Sequence, residues 1–222
     1  MEKQEKIRKA YTEYVLEHGT PPPSVFQFTK KLKLTEADFY EEYPSFESIE
    51  ADVWLAFFQQ AVQTIEADPV YQTYSVREKL LAFYYTWIEV LRSQRSFVVY
   101  SHQRIREASQ SASPVAKVRM RRQTPRILEP FRETYFDFVR DLLAEGRESK
   151  EVEPRPFLSD RYADGFWMQT LFILNFWVND LSKNFEKTDT AIEKSVNTAF
   201  DLIGRSPLDS LFDLAKFIYQ NK

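Results

Sequence analysis

Apolar residues recur along this chain at helical spacing and hardly anywhere in strict alternation, so the pattern predicts an all-α protein. Ile7, Ala10, Tyr11, Tyr14 and Val15 form one stripe over about Glu5 to His18, and Gly19 ends it. Pro21, Pro22 and Pro23 stiffen the next loop in an extended form. Val25, Phe28 and Leu32 mark a short helix behind Ser24, whose hydroxyl suits an N-cap. After Lys33 and Leu34, Thr35 opens a second short helix carrying Phe39, Tyr40 and Tyr43, which Pro44 stops. Glu36 and Asp38 lie in its first turn, where the helix dipole favours negative charge. Ser45 then caps a long helix, about Phe46 to Ala67, with Trp54, Phe57, Phe58, Ala61 and Ile65 on one side. Two short helices about a tight turn, followed by a long one, read as a helix-turn-helix.

The remainder is predicted as longer helices. Ser75 caps one reaching about Gln94, striped by Leu80, Tyr84, Trp87, Ile88 and Leu91. Ser96 starts another to about Gln110, carrying Val99, His102 and Ile105. Ser109–Pro114 is rich in turn residues, and Lys117–Arg126 forms the only dense basic cluster. Thr124 and Pro125 open a helix with Leu128, Phe131, Tyr135, Phe138, Val139 and Leu142, and Gly146 with the charged run to Pro156 reads as a loop. Ser159 or Asp160 caps a helix over Arg161–Lys183 that is apolar almost all round. Such a helix must be covered on two sides. One cover is its own domain and the other a second subunit, so a homodimer is expected on Arg161–Lys183 and Asp189–Ile203. Gly204 closes the latter helix, and Ser206-Pro207-Leu208-Asp209 opens a last one carrying Leu211, Phe212, Ala215 and Ile218.

The segment from about Ile7 to Trp54 resembles the amino-terminal head of the TetR/AcrR transcriptional regulators. The match runs without a gap from Ser24 to Ile49: Ser24 as cap, Leu34-Thr35 as the turn into the recognition helix, Tyr40 and Tyr43 as an aromatic pair, Pro44-Ser45 as the break. It implies a DNA-binding-type head over residues 1–50 and a helical ligand-binding and dimerisation domain over residues 51–222. The DNA contacts it implies are Ser24, Thr35, Ala37 and Tyr40, with Lys30, Lys31 and Lys33 supplying local positive charge. Departures are visible too. The family has Gly in the turn and this chain has Lys33; the family has a phosphate-touching Lys where this chain has Phe46. The recognition helix carries Glu36, Asp38, Glu41 and Glu42, and no Lys or Arg occurs from Leu34 to Val76. DNA affinity rests largely on neutralised phosphates. A second expectation therefore stands beside the first: a protein of this fold that has lost DNA binding and acts as a lipid- or isoprenoid-binding accessory protein.

Composition narrows the remaining chemistry. The chain has no cysteine, which removes disulfides and thiolate metal sites and is compatible with a cytoplasmic location. Its formal net charge of -3 argues against a general nucleic-acid binder. MEKQEKIRKA has no apolar signal-peptide core, and the most apolar stretch, Phe166–Leu181, is broken by Gln169, Asn175, Asn179 and Asp180. No catalytic, zinc or nucleotide motif occurs, so neither an enzyme nor a metal or cofactor is expected. The rings Phe58, Tyr84, Trp87, Phe131, Tyr135, Phe138, Phe166 and Trp167, with His102, fall on helices expected to face one another. Each reads as core or as the lining of a cavity for a small apolar ligand. Lys117, Arg119, Arg121, Arg122 and Arg126 read as a solvated face or a site for an anionic partner.

Overall fold

The structure is a computed structural model that describes residues 3–111, 125–155, 159–204 and 217–218. Among these residues it forms nine α-helices and no strand. They are α1 (Lys3–His18), α2 (Val25–Leu32), α3 (Glu36–Glu42), α4 (Phe46–Glu66), α5 (Val76–Ser93), α6 (Arg95–Ser111), α7 (Glu129–Glu148), α8 (Tyr162–Val178) and α9 (Glu186–Ile203). They group into two compact units, Met1–Ala61 with Glu89–Thr134, and Val62–Ile88 with Tyr135–Lys222.

The first unit packs its head around rings. Ile7, Tyr11 and Val15 on α1, Phe28 on α2, Phe39 on α3 and Ile49 on α4 are all buried. Phe46, at the start of α4, stacks on Tyr11 at 5.5 Å and meets Phe28 and Phe39 edge-on, both at 5.4 Å. Such offset and edge contacts add about 0.5–1.5 kcal/mol per pair beyond area burial. The position where the family carries a phosphate-touching lysine therefore serves the core of this head. Deeper in the same unit the Glu50 carboxylate is fully buried. It accepts hydrogen bonds from Tyr11 Oη at 2.6 Å and Ser101 Oγ at 3.1 Å, and pairs with the Arg104 guanidinium. Trp54 Nε1 donates to Ser101 Oγ at 3.0 Å, which extends the network. A buried charge is tolerated when it is paired and hydrogen-bonded, and this one ties α1, α4 and α6 together.

In the second unit, α5 begins on a long-range cap: Glu151 accepts from the backbone N–H of Val76 at 3.1 Å and of Arg77 at 3.3 Å. Val76, Leu80, Phe83, Tyr84 and Trp87 of α5 are buried, as are Tyr135, Val139 and Leu143 of α7, Phe166 and Trp167 of α8, and Ile192, Val196 and Phe200 of α9. No described helix is long and apolar enough to cross a membrane.

Several predicted boundaries move, each for a local reason. Helix α7 does not stop before Gly146 but runs through it to Glu148. The chain then folds back so that Val152 N–H donates to Gly146 O at 2.9 Å, and a Cβ on Gly146 would lie 2.6 Å from Val152 Cγ2. This glycine marks a close approach rather than a helix end. Helix α8 ends at Val178 rather than Lys183, because Asp180 turns the chain by accepting from Ser182 N–H at 2.8 Å and Thr188 N–H at 2.9 Å. Helix α9 accordingly begins at Glu186, behind Asn184 and Phe185 at positive φ. Ser159 does not cap α8; its hydroxyl closes on the backbone of Arg155 instead, and Arg161 holds the cap position without a side-chain bond. The predicted last helix, apart from residues 217 and 218, and the basic residues Lys117, Arg119, Arg121 and Arg122 lie outside the described residues.

Candidate functional site

The head contains the arrangement its pattern predicts. Ser24 has extended backbone and its hydroxyl accepts from Gln27 N–H at 3.2 Å, starting α2. Lys33 ends α2 in the left-handed conformation, φ 57° and ψ 40°. Its N–H donates to Lys30 O at 3.3 Å, and Leu34 N–H reaches Thr29 O at 3.0 Å. This paired closure satisfies the last carbonyls of a helix and usually employs glycine. Thr35 then begins α3 with reciprocal bonds: Asp38 N–H donates to Thr35 Oγ1 at 3.1 Å, and Thr35 N–H to Asp38 Oδ2 at 2.9 Å. Lys30, Lys31, Lys33, Thr35, Ala37 and Tyr40 are exposed, and Ser24 is half-buried. The sequence reading missed Phe26, which is 58% exposed with Lys30 Nζ over its ring at 5.9 Å. Its signal was available, since Phe26 stands off the apolar stripe of its own helix.

Charge on α3 is partly answered within the head. Lys3 Nζ lies 2.9 Å from Asp38 Oδ1 and 2.9 Å from Glu41 Oε2. The bonds from Lys3 and then from Thr35 hold the Asp38 carboxyl well below the usual carboxylate range. Exposed pairs of this kind contribute little to stability. The single Lys3 ammonium is shared by two of the four acids and offsets one of their charges.

The predicted ligand residues do not form one set. Tyr84, Trp87, Tyr135, Phe138, Phe166 and Trp167 meet in the second unit. Phe83 bridges Trp87 at 6.1 Å and Phe138 at 5.1 Å, and Tyr135 meets Trp167 at 5.7 Å. At their centre Tyr84 Oη lies 2.9 Å from Tyr135 Oη and 3.0 Å from Thr170 Oγ1. Burial raises both phenols, Tyr135 to about 12, so they remain protonated and available as donors. A neighbouring void lined by Leu80, Val139, Phe166 and Phe200 measures about 10 Å³. That is room for one water at most. Phe58 and Phe131 instead pair at 5.5 Å in the first unit, where His102 is also buried. Burial, then the charge of Arg106, lowers the His102 pKa, so its ring is held neutral.

The second unit also presents an open apolar groove of about 920 Å³ along α8 and α9. Gly165, Met168, Gln169, Phe172 and Phe176 line it from α8, and Ala191, Ser195, Thr198 and Leu202 from α9. Met168 is 64%, Phe172 49% and Leu202 63% exposed. A Cβ on Gly165 would meet nothing within 4 Å, so no neighbour among the described residues requires glycine at that helical position. Gln169 Nε2 donates to Ser195 Oγ at 3.0 Å, while its Oε1 is buried and unpartnered among the described residues.

A family model described as "Tetracyclin repressor-like, C-terminal domain" matches residues 79–218, more than half of the chain. The chain belongs to the TetR family. Among solved structures, the TetR-like fold is shared with a protein of unknown function from Rhodococcus sp. RHA1, at 10% identity and TM-score 0.56, covering 92% of this chain and 97% of that one. A candidate tetR-family transcription regulator from Shewanella sp. PV-4 matches at 15% identity and TM-score 0.53, covering 92% and 100%. A regulatory protein of the tetR family from Rhodococcus RHA1 matches at 14% identity and TM-score 0.50, covering 93% and 99%. These likenesses concern the fold alone. No curated protein sequence matches the chain significantly.

Proposed function

We propose that this TetR-family chain is a cytoplasmic, homodimeric transcriptional regulator that reads DNA with a head formed by residues 1–50. The observation that carries this reading is the intact α2–turn–α3 geometry, with Lys30, Lys31, Lys33, Thr35, Ala37 and Tyr40 on its exposed surface. Side chains at the start of α3 and in α2 would meet the major groove, and two heads would address two half-sites. The dimer would form on the α8–α9 groove. Its exposed Met168, Phe172 and Leu202, the spare space at Gly165 and the unpartnered Gln169 Oε1 all suit the close approach of a second copy of the same helices. A two-fold contact of this type is self-complementary.

Residues 51–222 would carry the effector function. The void beside the packed rings around Tyr84 and Tyr135 is small, so an apolar effector entering there would displace side chains, and the three buried hydroxyls would orient it. Its binding would raise the melting temperature by mass action.

A second reading is favoured by a specific observation. Glu36 and Glu42 remain on α3, and Phe46 is committed to the ring cluster, so the head has few groups for phosphate. On that reading the fold persists without DNA recognition and serves lipid or isoprenoid binding. Selection of genomic fragments by the purified protein separates the two. Recovery of a short common duplex, bound by a dimer, supports the regulator. Failure to enrich any fragment at low salt, together with stabilisation by an isoprenoid lipid, supports the second reading.

A further inference from the structure

The turn of the head holds a residue that its conformation disfavours. A non-glycine side chain at φ 57° brings Cβ towards the following carbonyl. Lysine has no short polar group to recover that strain locally, as asparagine has. The closure of α2 needs only the backbone N–H groups of Lys33 and Leu34, and glycine would supply the former without strain. What glycine lacks is the ammonium.

With Lys9 on α1, that ammonium is one of two in the head that are exposed and make no ion pair or ring contact among the described residues, and it alone of the two stands in the turn. Lys3 is engaged by Asp38 and Glu41, Lys6 by Leu32 O at 3.0 Å and Arg8 by Asp52. Lys30 lies over the Phe26 ring, and Lys31 over the Tyr14 ring at 5.2 Å. Lys33 is exposed between α2 and α3 and makes no ion pair or ring contact among the described residues. Strained residues persist where surrounding structure or function demands them. Here no contact of the side chain among the described residues supplies that demand.

We infer that Lys33 is a DNA phosphate contact, delivered by the left-handed turn that separates α2 from α3. The inference rests on the DNA-binding reading above. The acids of α3 give it a specific role: it places positive charge on the strand beside a helix that otherwise repels it. A phosphate contact carries no base information, so its loss weakens all duplexes alike.

The test measures affinity against salt on one selected duplex and one unrelated duplex, using fluorescence anisotropy. One lost contact lowers the log–log salt slope by about 0.9, which corresponds to about an 8-fold loss of affinity at 0.1 M salt relative to 1 M. Lys33→Gly and Lys33→Asn should both show this loss on both duplexes, and Lys33→Arg should retain the wild-type slope. Lys33→Gly should at the same time raise the melting temperature by about 2–4 °C, through relief of the left-handed strain. Lys33→Asn tolerates the turn without the charge, so agreement between the two variants excludes a loosened backbone as the cause. Lys9→Gln, on α1, removes the same charge elsewhere and should leave the slope unchanged. Wild-type slope and affinity in Lys33→Gly, or an equal loss in Lys9→Gln, would overturn the inference while leaving the regulator reading intact. A wild-type protein that binds no duplex at low salt would overturn both.

Discussion

Arg104→Met tests the buried network of the first unit. It removes the guanidinium paired with Glu50, a carboxylate with no exposed surface. Breaking a buried ion pair from one side costs about 3–5 kcal/mol, because the remaining charge is left uncompensated. Two features of this site lower that figure. The Arg104 side chain is 36% exposed, so part of its charge is already screened by water. Tyr11 and Ser101 would still donate to the carboxylate. Burial, then the Glu50 charge, raises the Tyr11 phenol well above its ordinary range, so that donor stays protonated at any working pH. The expected loss is therefore about 2–3 kcal/mol, or about 5–10 °C in melting temperature for a chain of this size. Thermal unfolding followed by circular dichroism at neutral pH measures it. Adding Glu50→Gln to Arg104→Met should recover at least half of the loss, since an amide needs no counter-charge. If Arg104→Met melts within about 1 °C of wild type, the carboxylate does not depend on the guanidinium and the magnitude argument fails.

Further outcomes follow from single features. Phe172→Glu places a charge on the exposed α8 face and should give a folded monomer by light scattering, against the dimer proposed for wild type. Gly165→Leu should weaken the proposed dimer by filling space that a second copy would enter, yet leave the monomer at least as stable, since glycine costs a helix interior about 1 kcal/mol. At Asp180 burial opposes the charge, but the bonds from Ser182 and Thr188 win and hold the carboxyl at about 2. Its folded value lies below its unfolded value, so the stabilisation is present above about pH 4 and lost as pH falls towards 2. Asp180→Asn should accordingly cost about 1–2 kcal/mol at neutral pH and little at pH 2, measured by urea unfolding at each pH.

The head was legible in sequence because its signals are local. Ser24, Thr35 and Pro44 act on the residues beside them, and the spacing of Val25, Phe28 and Leu32 assigns the buried side of α2 without distant information. The Lys33 turn was legible as a turn, but not as a strained one, because a dihedral angle leaves no mark in the spacing. What escaped depends on contacts far along the chain. Gly146 reads as a helix end until Val152 folds back over it. Asp180 looks like an interior residue of a long helix until Thr188 donates to it. The acids of α3 read as bare until Lys3 is brought across from α1. The ring set shows the same limit: periodicity marks Phe58, Phe131 and Tyr84 as inward-facing, but which helix each meets decides between core and cavity. The open α8–α9 face was legible as surplus apolar character, because a helix polar on no side advertises a second cover.

The claim that two heads of a dimer read DNA together is tested most directly by hydroxyl-radical footprinting of the wild-type protein on a duplex recovered from genomic selection. The account predicts two protected patches of equal depth, related by a two-fold axis and centred about one helical turn, roughly 34–36 Å, or a small multiple of it apart. A single protected patch, or uniform cleavage under saturating protein at low salt, would contradict it.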